Sequence, residues 1–530
     1  MRINKTVLCC PVWGMLALAM LSTGCLVGPD HCDPGAPFAD NWRQPLPEGV
    51  TNRPDNSIAW WTKFDDPVLS QLVLNTTQQN LTLGEAMERI NEARAQRGVA
   101  RGGLFPDIFA TAGFTHQKFS DNGSPFGLPG FSAPAFDIWS TGLTSSWEID
   151  VFGALRRTVE AADADIDVSI EDHNALLVSL QGEVGAAYIQ ARTLEQRILI
   201  TQRNVNLQRR SVEITEDRLE AGTVSRLDVE QAKSNLFRTE SALPLLGQEL
   251  DQVFHRLSVL QGTPPQDLTE EILANKALPR LPQDIDVGLP IDLIRQRPDI
   301  RSAERQLAAQ AARIGIATAD LYPRFTLNGT FTVDATKVSN WFRSESLAYS
   351  VGPAMRWNIL SFGRVRNNIE VNRARWRQLV FAYQQSVLDA SAEVEDALAL
   401  YRHSLDRAEA LRQAAEAARM AAEISEEQYR GGIIPFQTLL DAQRFQAELE
   451  DQYVESLGQI YAAVIQIYQS LGGGWRDPYV VATPANVREP LMPESFRLDL
   501  QNVEGELDRN DGLEPAEAVP APLGPLPMTP

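Results

Sequence analysis

The chain has 530 residues, of which 48 are basic and 69 acidic, giving a net charge of −21. A protein this acidic repels phosphate backbones, which argues against a nucleic-acid partner. No run of 18 or more apolar residues follows the first 24 residues, so we expect no membrane-spanning helix in the mature protein.

The N-terminus reads as a targeting segment. Two basic residues precede an apolar stretch from Val7 to Met20, and the segment ends in Leu21-Ser22-Thr23-Gly24-Cys25. This ending resembles a bacterial lipoprotein signal, in which the thiol of Cys25 is acylated, although Ser22 stands where Leu is usual. Leu26 follows where an Asp would resemble an inner-membrane retention signal. We therefore expect a signal peptide over 1–24, lipid on Cys25 and an outer-membrane location, with ordinary secretion as the alternative.

The cysteines and histidines predict neither a disulfide nor a metal site. Two further cysteines leave with the signal, and Cys32 remains as a single thiol, so no internal disulfide is expected. The five histidines are scattered without metal-ligand spacing. No cofactor is predicted beyond the covalent lipid on Cys25.

The mature chain begins with a tether and then turns helical. Residues 25–66 are rich in Pro, Asp and Trp, which predicts an extended segment packed against the rest of the protein. Helical periodicity begins near Pro67, is interrupted around Asn80 and resumes at Leu81. There we expect Thr82 as the N-cap, with Glu85 completing a capping box.

Two stretches of the chain are duplicated. Trp147–Gly153 is echoed 210 positions later by Trp357–Gly363, and Leu81–Pro106 is echoed 217 positions later by Pro298–Pro323. Repeats at a fixed distance indicate a duplicated unit. We therefore divide the chain into repeat 1 (67–262), an equatorial linker (263–297), repeat 2 (298–471) and a C-terminal part (472–530), whose acidic, Pro-rich tail is expected to be disordered.

Each repeat contains two alternating segments, predicted as strands at about 105–118, 140–151, 323–334 and 348–359. Strands of ten residues or more are long enough to cross a bilayer at a tilt, although a soluble sandwich also alternates. Four strands cannot close a barrel, and a sheet with open edges cannot lie in lipid. Other copies of the chain must therefore supply the missing strands, and the polar inner face predicts a water-filled lumen.

A long helical segment follows each strand pair. Residues 153–221 and 363–431 contain no proline, so each predicts a helix of about 100 Å. The returning segments, about 225–262 and 436–471, are about half as long, and adding the leading segments 82–103 and 299–320 restores nearly the full length. We expect two short helices, end to end, beside each long one. Coiled-coil stalks are the alternative.

Several motifs together resemble a known family. They are Cys25-Leu26-Val27-Gly28-Pro29-Asp30, Trp60-Trp61-Thr62-Lys63-Phe64-Asp65-Asp66-Pro67, Arg297-Pro298-Asp299-Ile300-Arg301-Ser302-Ala303-Glu304, the two strand-to-helix junctions and Leu440-Asp441-Ala442-Gln443. From about residue 25 to 475 the chain resembles TolC-like outer-membrane efflux proteins, most of all the OprM/NodT lipoprotein branch.

The resemblance implies a mostly α fold with a membrane β-barrel. Three copies would form a 12-stranded barrel, four strands per chain, continuing into a long α-helical barrel with a mixed α/β equatorial belt. Such a homotrimer lies in outer-membrane lipid and exports small molecules through its lumen, together with a periplasmic adaptor and an inner-membrane RND-type pump. The alternatives are an exit duct for type I protein secretion and a lipid-anchored coiled-coil scaffold without a pore. No catalytic constellation is visible, so no enzyme is expected.

The resemblance also places functional residues at the two hairpin tips. Asp228 and Tyr429 fall where such ducts have a linked Asp/Tyr pair, and Asp441 falls on an aperture carboxylate. Thr438 replaces a second carboxylate, and Ile434 stands where a gating Arg would be. The alternative for both aspartates is stabilisation of a helix N-terminus. An adaptor would dock at the turns, on Gly222, Thr223, Val224, Gly431, Gly432 and Ile433.

Overall fold

The computed structural model describes residues 26–476, except 33–34, 38, 44, 48, 54–58, 119–133 and 266–276, and the side chains of 294 and 295. The predicted signal peptide, Cys25 and the acidic tail lie outside the described residues. In chain order the helices are α1 (Pro67–Gln79), α2 (Leu81–Gly102), α3 (Ala154–Glu220), α4 (Arg226–Glu240), α5 (Ala242–Leu260), α6 (Leu293–Gln296), α7 (Pro298–Ala319), α8 (Arg364–Arg430) and α9 (Phe436–Ser470). The strands are β1 (Val50–Thr51), β2 (Asp107–Gln117), β3 (Phe136–Ile149), β4 (Ile285–Asp286), β5 (Arg324–Ala335) and β6 (Leu347–Arg356).

The two long helices have the same length, 67 residues each. Each packs against its own leading helix and its own return, so α3 lies beside α2, α4 and α5, and α8 lies beside α7 and α9. The repeats are joined because α3 also packs against α7 and α9. The return of repeat 1 divides at Ser241, and Pro244 fits the first turn of α5, where a missing N–H leaves no hydrogen bond unmade.

The capping expectation at Thr82 is wrong. Asn80 is the N-cap of α2, since its side-chain oxygen accepts a hydrogen bond from the Leu83 N–H at 3.0 Å. Its amide also donates to the carbonyl of Leu260 at 2.8 Å, which ties the start of α2 to the end of α5. Asn is among the strongest N-cap residues, so it takes the position ahead of Thr82.

The four long strands form one antiparallel sheet in the order β2-β3-β5-β6. Paired residues include Asp107 with Ser146 and Ile149 with Phe325. β3 begins four residues before the predicted 140, because β2 extends to Gln117 opposite Phe136. β6 ends three residues before the predicted 359, because β5 begins at Arg324, the partner of Arg356. Neither strand runs directly into its helix: residues 150–153 and 357–363 intervene.

The sheet has one apolar and one polar face. The register places Leu143 between Ala110 and Phe331, and it places Thr144 between Phe109 and Thr330. Apolar side chains on the first face are widely exposed, among them Ile108 at 66% and Val351 at 73%. β2 and β6 each pair on one side only. The described sheet therefore has two open edges and an uncovered apolar face.

The predicted tether packs onto the helices at mid-height. Trp60, Trp61 and Phe64 are buried, and Trp60 stacks on Tyr468 of α9 with 5.7 Å between ring centroids. Nearby, β1 of the tether pairs in parallel with β4 of the linker. These two segments together form a small mixed element beside the helices.

Candidate functional site

The two hairpin tips are built by the same turn. After α3 the N–H of Gly222 bonds to the carbonyl of Leu219 and that of Thr223 to the carbonyl of Arg218; after α8, Gly432 and Ile433 bond to Tyr429 and Gln428 in the same way. This Schellman pattern requires a left-handed residue, supplied by Gly222 (φ 71°) and Gly432 (φ 73°). Gly431 is right-handed (φ −74°), so it is not a left-handed capping residue.

Most of the predicted docking residues are accessible. Gly222, Thr223, Gly431, Gly432 and Ile433 are exposed, and Val224 is half-buried. A methyl group at Gly222 would have nothing within 4 Å. These turns form the end of the described helices and leave their outer surface free for a partner.

A small apolar cluster joins the two tips. Its buried members come from α3, α4, α9 and the end of α8: Val205, Val212, Ala232, Leu236, Tyr429, Phe436, Leu439 and Leu440. Ile434, the residue at the expected Arg position, packs against this cluster. The hairpins of one chain therefore meet through a dry contact as well as through polar groups.

Asp228 and Tyr429 lie near each other but are not linked. The Asp228 carboxylate accepts from the Ser225 N–H at 3.0 Å and from the Ser225 hydroxyl at 3.1 Å, which completes a capping box at the start of α4. The Tyr429 hydroxyl is buried and has no hydrogen-bond partner among the described residues. The pKa of the Tyr429 hydroxyl is raised, mainly by burial and further by the negative charge of Asp228. The positive charge of Arg218 opposes this shift only in part. The helix-capping interpretation thus accounts for the contacts of Asp228.

Asp441 has a different environment. It lies beyond the first turn of α9, so helix capping does not explain it. Its side chain is 48% exposed, and its carboxylate accepts from Gln437 at 3.0 Å and lies 3.8 Å from the Arg444 guanidinium. Thr438 lies one turn earlier on α9 with its side chain exposed. These two positions, unlike Asp228, present polar groups that hold no helix end.

Sequence reasoning missed Arg218. Its guanidinium lies 4.7 Å from the ring centroid of Tyr429 and donates a hydrogen bond to the Tyr429 carbonyl. A basic residue in the last turn of a helix is usually explained by the helix dipole alone. The duplication offered a signal in the sequence: the equivalent position in repeat 2 is Gln428, so the charge at Arg218 is not a shared feature of the two helix ends.

Further from the hairpin tip, charged and polar pairs connect α9 to repeat 1. Arg197 holds Asp451 with two hydrogen bonds of 2.8 and 2.9 Å. Closer to the tip, Gln443 donates to Ser211 at 2.7 Å and Arg444 to Asn235 at 3.2 Å. These links make the seam between the hairpins specific along its length.

The segment following Cys25 is held where the sheet meets the helices. Arg157 of α3, only 2% exposed, donates to the carbonyls of Val27 (3.2 Å) and Gly28 (3.5 Å) and to the Asp30 carboxylate (2.7 Å). Gly28 is left-handed (φ +98°), and a Cβ there would lie 2.4 Å from the Cα of Gly315. The segment therefore lies wedged between α3 and α7.

Neither a membrane-spanning helix nor a metal-binding cluster is found in the described part of the chain. None of its helices combines the length and hydropathy needed to cross a membrane. Within those same residues, no group of three His, Cys, Asp or Glu side chains is arranged to hold a metal ion.

Comparison with known proteins gives consistent matches over most of the chain. The model of the outer membrane efflux protein family matches residues 72–263 and 289–473. Nodulation protein T of Rhizobium leguminosarum bv. viciae is 30% identical over 466 residues, 88% of this chain and 94% of the relative. Pyoverdine export outer membrane protein OpmQ of Pseudomonas aeruginosa is 29% identical over 467 residues, covering 87% and 96%. The solved outer-membrane channel OprN superposes with a TM-score of 0.79 at 34% identity, covering 86% of this chain and 100% of OprN.

Proposed function

Because the chain belongs to the outer membrane efflux protein family, we propose that three copies pool their strands into one 12-stranded barrel that continues into a long α-helical barrel with a mixed α/β belt. Members of this family are trimeric outer-membrane channels that work with adaptor proteins and inner-membrane pumps. The chain is an outer-membrane exit duct for efflux and not an enzyme.

The observation that carries the trimeric barrel is the open-edged sheet. Unpaired N–H and C=O groups of β2 and β6 would each cost several kcal/mol in lipid, roughly as any unsatisfied backbone group does there. Pairing β6 of one copy with β2 of the next removes both edges at once. The apolar face then contacts lipid, and the polar face lines a wet lumen.

The duplication predicts how these edges should pair. Asp107 opposite Ser146 becomes Arg324 opposite Arg356 when the offsets of 217 and 210 are applied, so both hairpins share one register. Applied to the β3–β5 pairs, the same offsets turn Glu148 opposite Thr326 into Asn358 opposite Phe109 of the partner subunit. Residues 357–359 would then join β6, which explains why they are extended by prediction but unpaired in a single chain.

Cysteine cross-linking tests this pairing. In a Cys32→Ser background, Asn358→Cys with Phe109→Cys should give disulfide-linked oligomers on non-reducing gels, because directly opposite Cβ atoms are about 5 Å apart. Asn358→Cys with Thr111→Cys, shifted by two residues on the same face, is the matched control, since a diagonal separation of about 7–8 Å is too long for a disulfide. Linking only in the shifted pair would refute the register, and a particle that stays monomeric in detergent would refute the trimer.

We propose that removal of residues 1–24 leaves Cys25 acylated and anchored beside the barrel. The clamp on Val27, Gly28 and Asp30 supports this, since it holds the chain at the barrel–helix junction only two residues from the acylated position. A lipid on Cys25 would enter the inner leaflet there.

We propose that the hairpin tips form the periplasmic gate. Asp228, Tyr429, Thr438 and Asp441 would surround the opening, and Gly222, Thr223, Val224, Gly431, Gly432 and Ile433 would contact the adaptor of an RND-type pump. The half-exposed Asp441 supports a charged aperture, because three copies around one axis repel one another unless water or cations lie between them. The exported compounds are small molecules, moved by energy from the pump.

A further inference from the structure

We propose that Arg218 is the positioning residue that holds the two hairpin tips of each subunit together in the closed duct. The inference rests on the proposed gate, and it assigns the closing contact to a different group from the expected Asp228–Tyr429 pair.

The Arg218 guanidinium bridges the ends of α3 and α8. It lies over the Tyr429 ring at 4.7 Å from the centroid and donates to the Tyr429 carbonyl. It also reaches the turn itself, since a Cβ at Gly432 would lie 3.3 Å from Nη2. Carbonyls in the last turn of a helix carry partial negative charge, so one cation stabilises the C-terminal ends of both helices at once.

The expected pair is not available for this task. Both contacts of the Asp228 carboxylate go to Ser225 within its own hairpin, and the Tyr429 hydroxyl is buried without a partner among the described residues. Tyr429 contributes its ring face and its backbone carbonyl, while its hydroxyl contributes nothing to the link. The cation thus takes the place of the Arg that Ile434 replaces, but it comes from the opposite hairpin.

The duplication predicts that this link occurs once per chain. Shifting by 210 places Gln428 at the position of Arg218 and Leu219 at the position of Tyr429. In a closed ring of alternating repeats, Gln428 would therefore face Leu219 of the partner subunit. These two positions supply neither a cation nor an aromatic ring. The Arg218–Tyr429 link is therefore expected within subunits and not at the equivalent positions between subunits.

Single-channel recording in planar bilayers tests the assignment with full-length trimers. Arg218→Gln should raise the open-channel current or open probability several-fold, and Arg218→Lys, which keeps the charge but loses the planar stacking group, should give an intermediate value. Tyr429→Phe should remain as closed as the wild type. Arg209→Gln is the matched control, because Arg209 pairs with Glu240 inside hairpin 1 at 2.8 Å and does not cross the seam.

The possible results distinguish a failure of the Arg218 assignment from a failure of the proposed duct function. If Tyr429→Phe opens the channel as much as Arg218→Gln, the hydroxyl forms the link and the assignment is overturned. If Arg218→Gln trimers assemble and gate like the wild type, the assignment is also overturned, while the duct function stands. If the wild-type trimer shows no conductance at all, the proposed function itself is refuted. Should Arg218→Gln fail to assemble, Tyr429→Leu decides: it removes the ring face and should open more than Tyr429→Phe, and equal closure would overturn the link.

Discussion

The two repeats share a fold but differ in how much of it is covered. α2 and α7 are both 22 residues long, yet α2 buries only Leu83, Ala86 and Ile90, whereas α7 is buried along its length. The reason is their neighbours: α7 lies between two long helices, α3 and α8, and α2 has only α3. α2 therefore lacks the second neighbour that α7 has, and in the proposed trimer α8 of another copy would take that place.

The long helices differ in the complementary way. α3 has partners from both repeats and buries residues along most of its length, including charged ones such as Arg192 and Glu195. α8 has partners from repeat 2, and large apolar side chains such as Phe381 (71% exposed) remain open. The difference between the repeats therefore maps the surfaces that a trimer would cover.

Arg157 gives the largest expected difference between equivalent positions. Its counterpart in repeat 2 is Asn367, which is exposed. Arg157→Asn should destabilise the trimer by about 2–4 kcal/mol, because it leaves a void and removes the donors to Val27 and Gly28. Asn367→Ala should have an effect within about 0.5 kcal/mol. Thermal unfolding of detergent-solubilised protein measures both.

A second readout links the Arg157 effect to the N-terminal segment. A nitroxide on Cys32, the exposed thiol of the described residues, should become mobile in Arg157→Asn and stay restricted in Asn367→Ala. Equal mobility in both variants would show that the clamp does not hold the segment.

Gly315 and Gly98 should respond oppositely to the same substitution. A methyl at Gly315 would lie 2.9 Å from three atoms of the buried Arg157 side chain, whereas a methyl at Gly98 has nothing within 4 Å in the described chain. Gly315→Ala should therefore destabilise by about 1–2 kcal/mol despite its better helix propensity, and Gly98→Ala should stabilise by about 0.5–1 kcal/mol. Chemical denaturation at constant detergent checks the signs. In the proposed trimer, Asn367 of the partner subunit would face Gly98 as Arg157 faces Gly315, but its shorter side chain would leave room for a methyl group. Destabilisation of similar size in both variants would contradict this difference in packing.

Local patterns predicted most of the architecture. Proline-free stretches gave both 67-residue helices, and alternation gave the four strands to within four residues at each end. What they missed depends on partners distant in sequence. Asn80, the N-cap of α2, also donates to Leu260, 180 residues away, and Arg218 is recognisable as a link only beside Tyr429, 211 residues away. In the proposed barrel, the end of β6 would depend on β2 of another copy, which a single chain does not contain.

The smallest expected effect distinguishes the carboxylates of the two tips. Asp228 corresponds to Thr438, and Ser225 to Pro435, so repeat 1 has a capping box and repeat 2 has none. Asp228→Ala should cost about 1 kcal/mol in stability through loss of the cap and leave ion selectivity unchanged. Asp441→Ala should leave stability unchanged and weaken cation preference by less than about 1 kcal/mol, because the charge is solvated and Arg444 already offsets part of it. Reversal potentials in asymmetric salt measure this preference. A selectivity change with Asp228→Ala but not with Asp441→Ala would show that the carboxylate lining the aperture comes from repeat 1 and not from repeat 2.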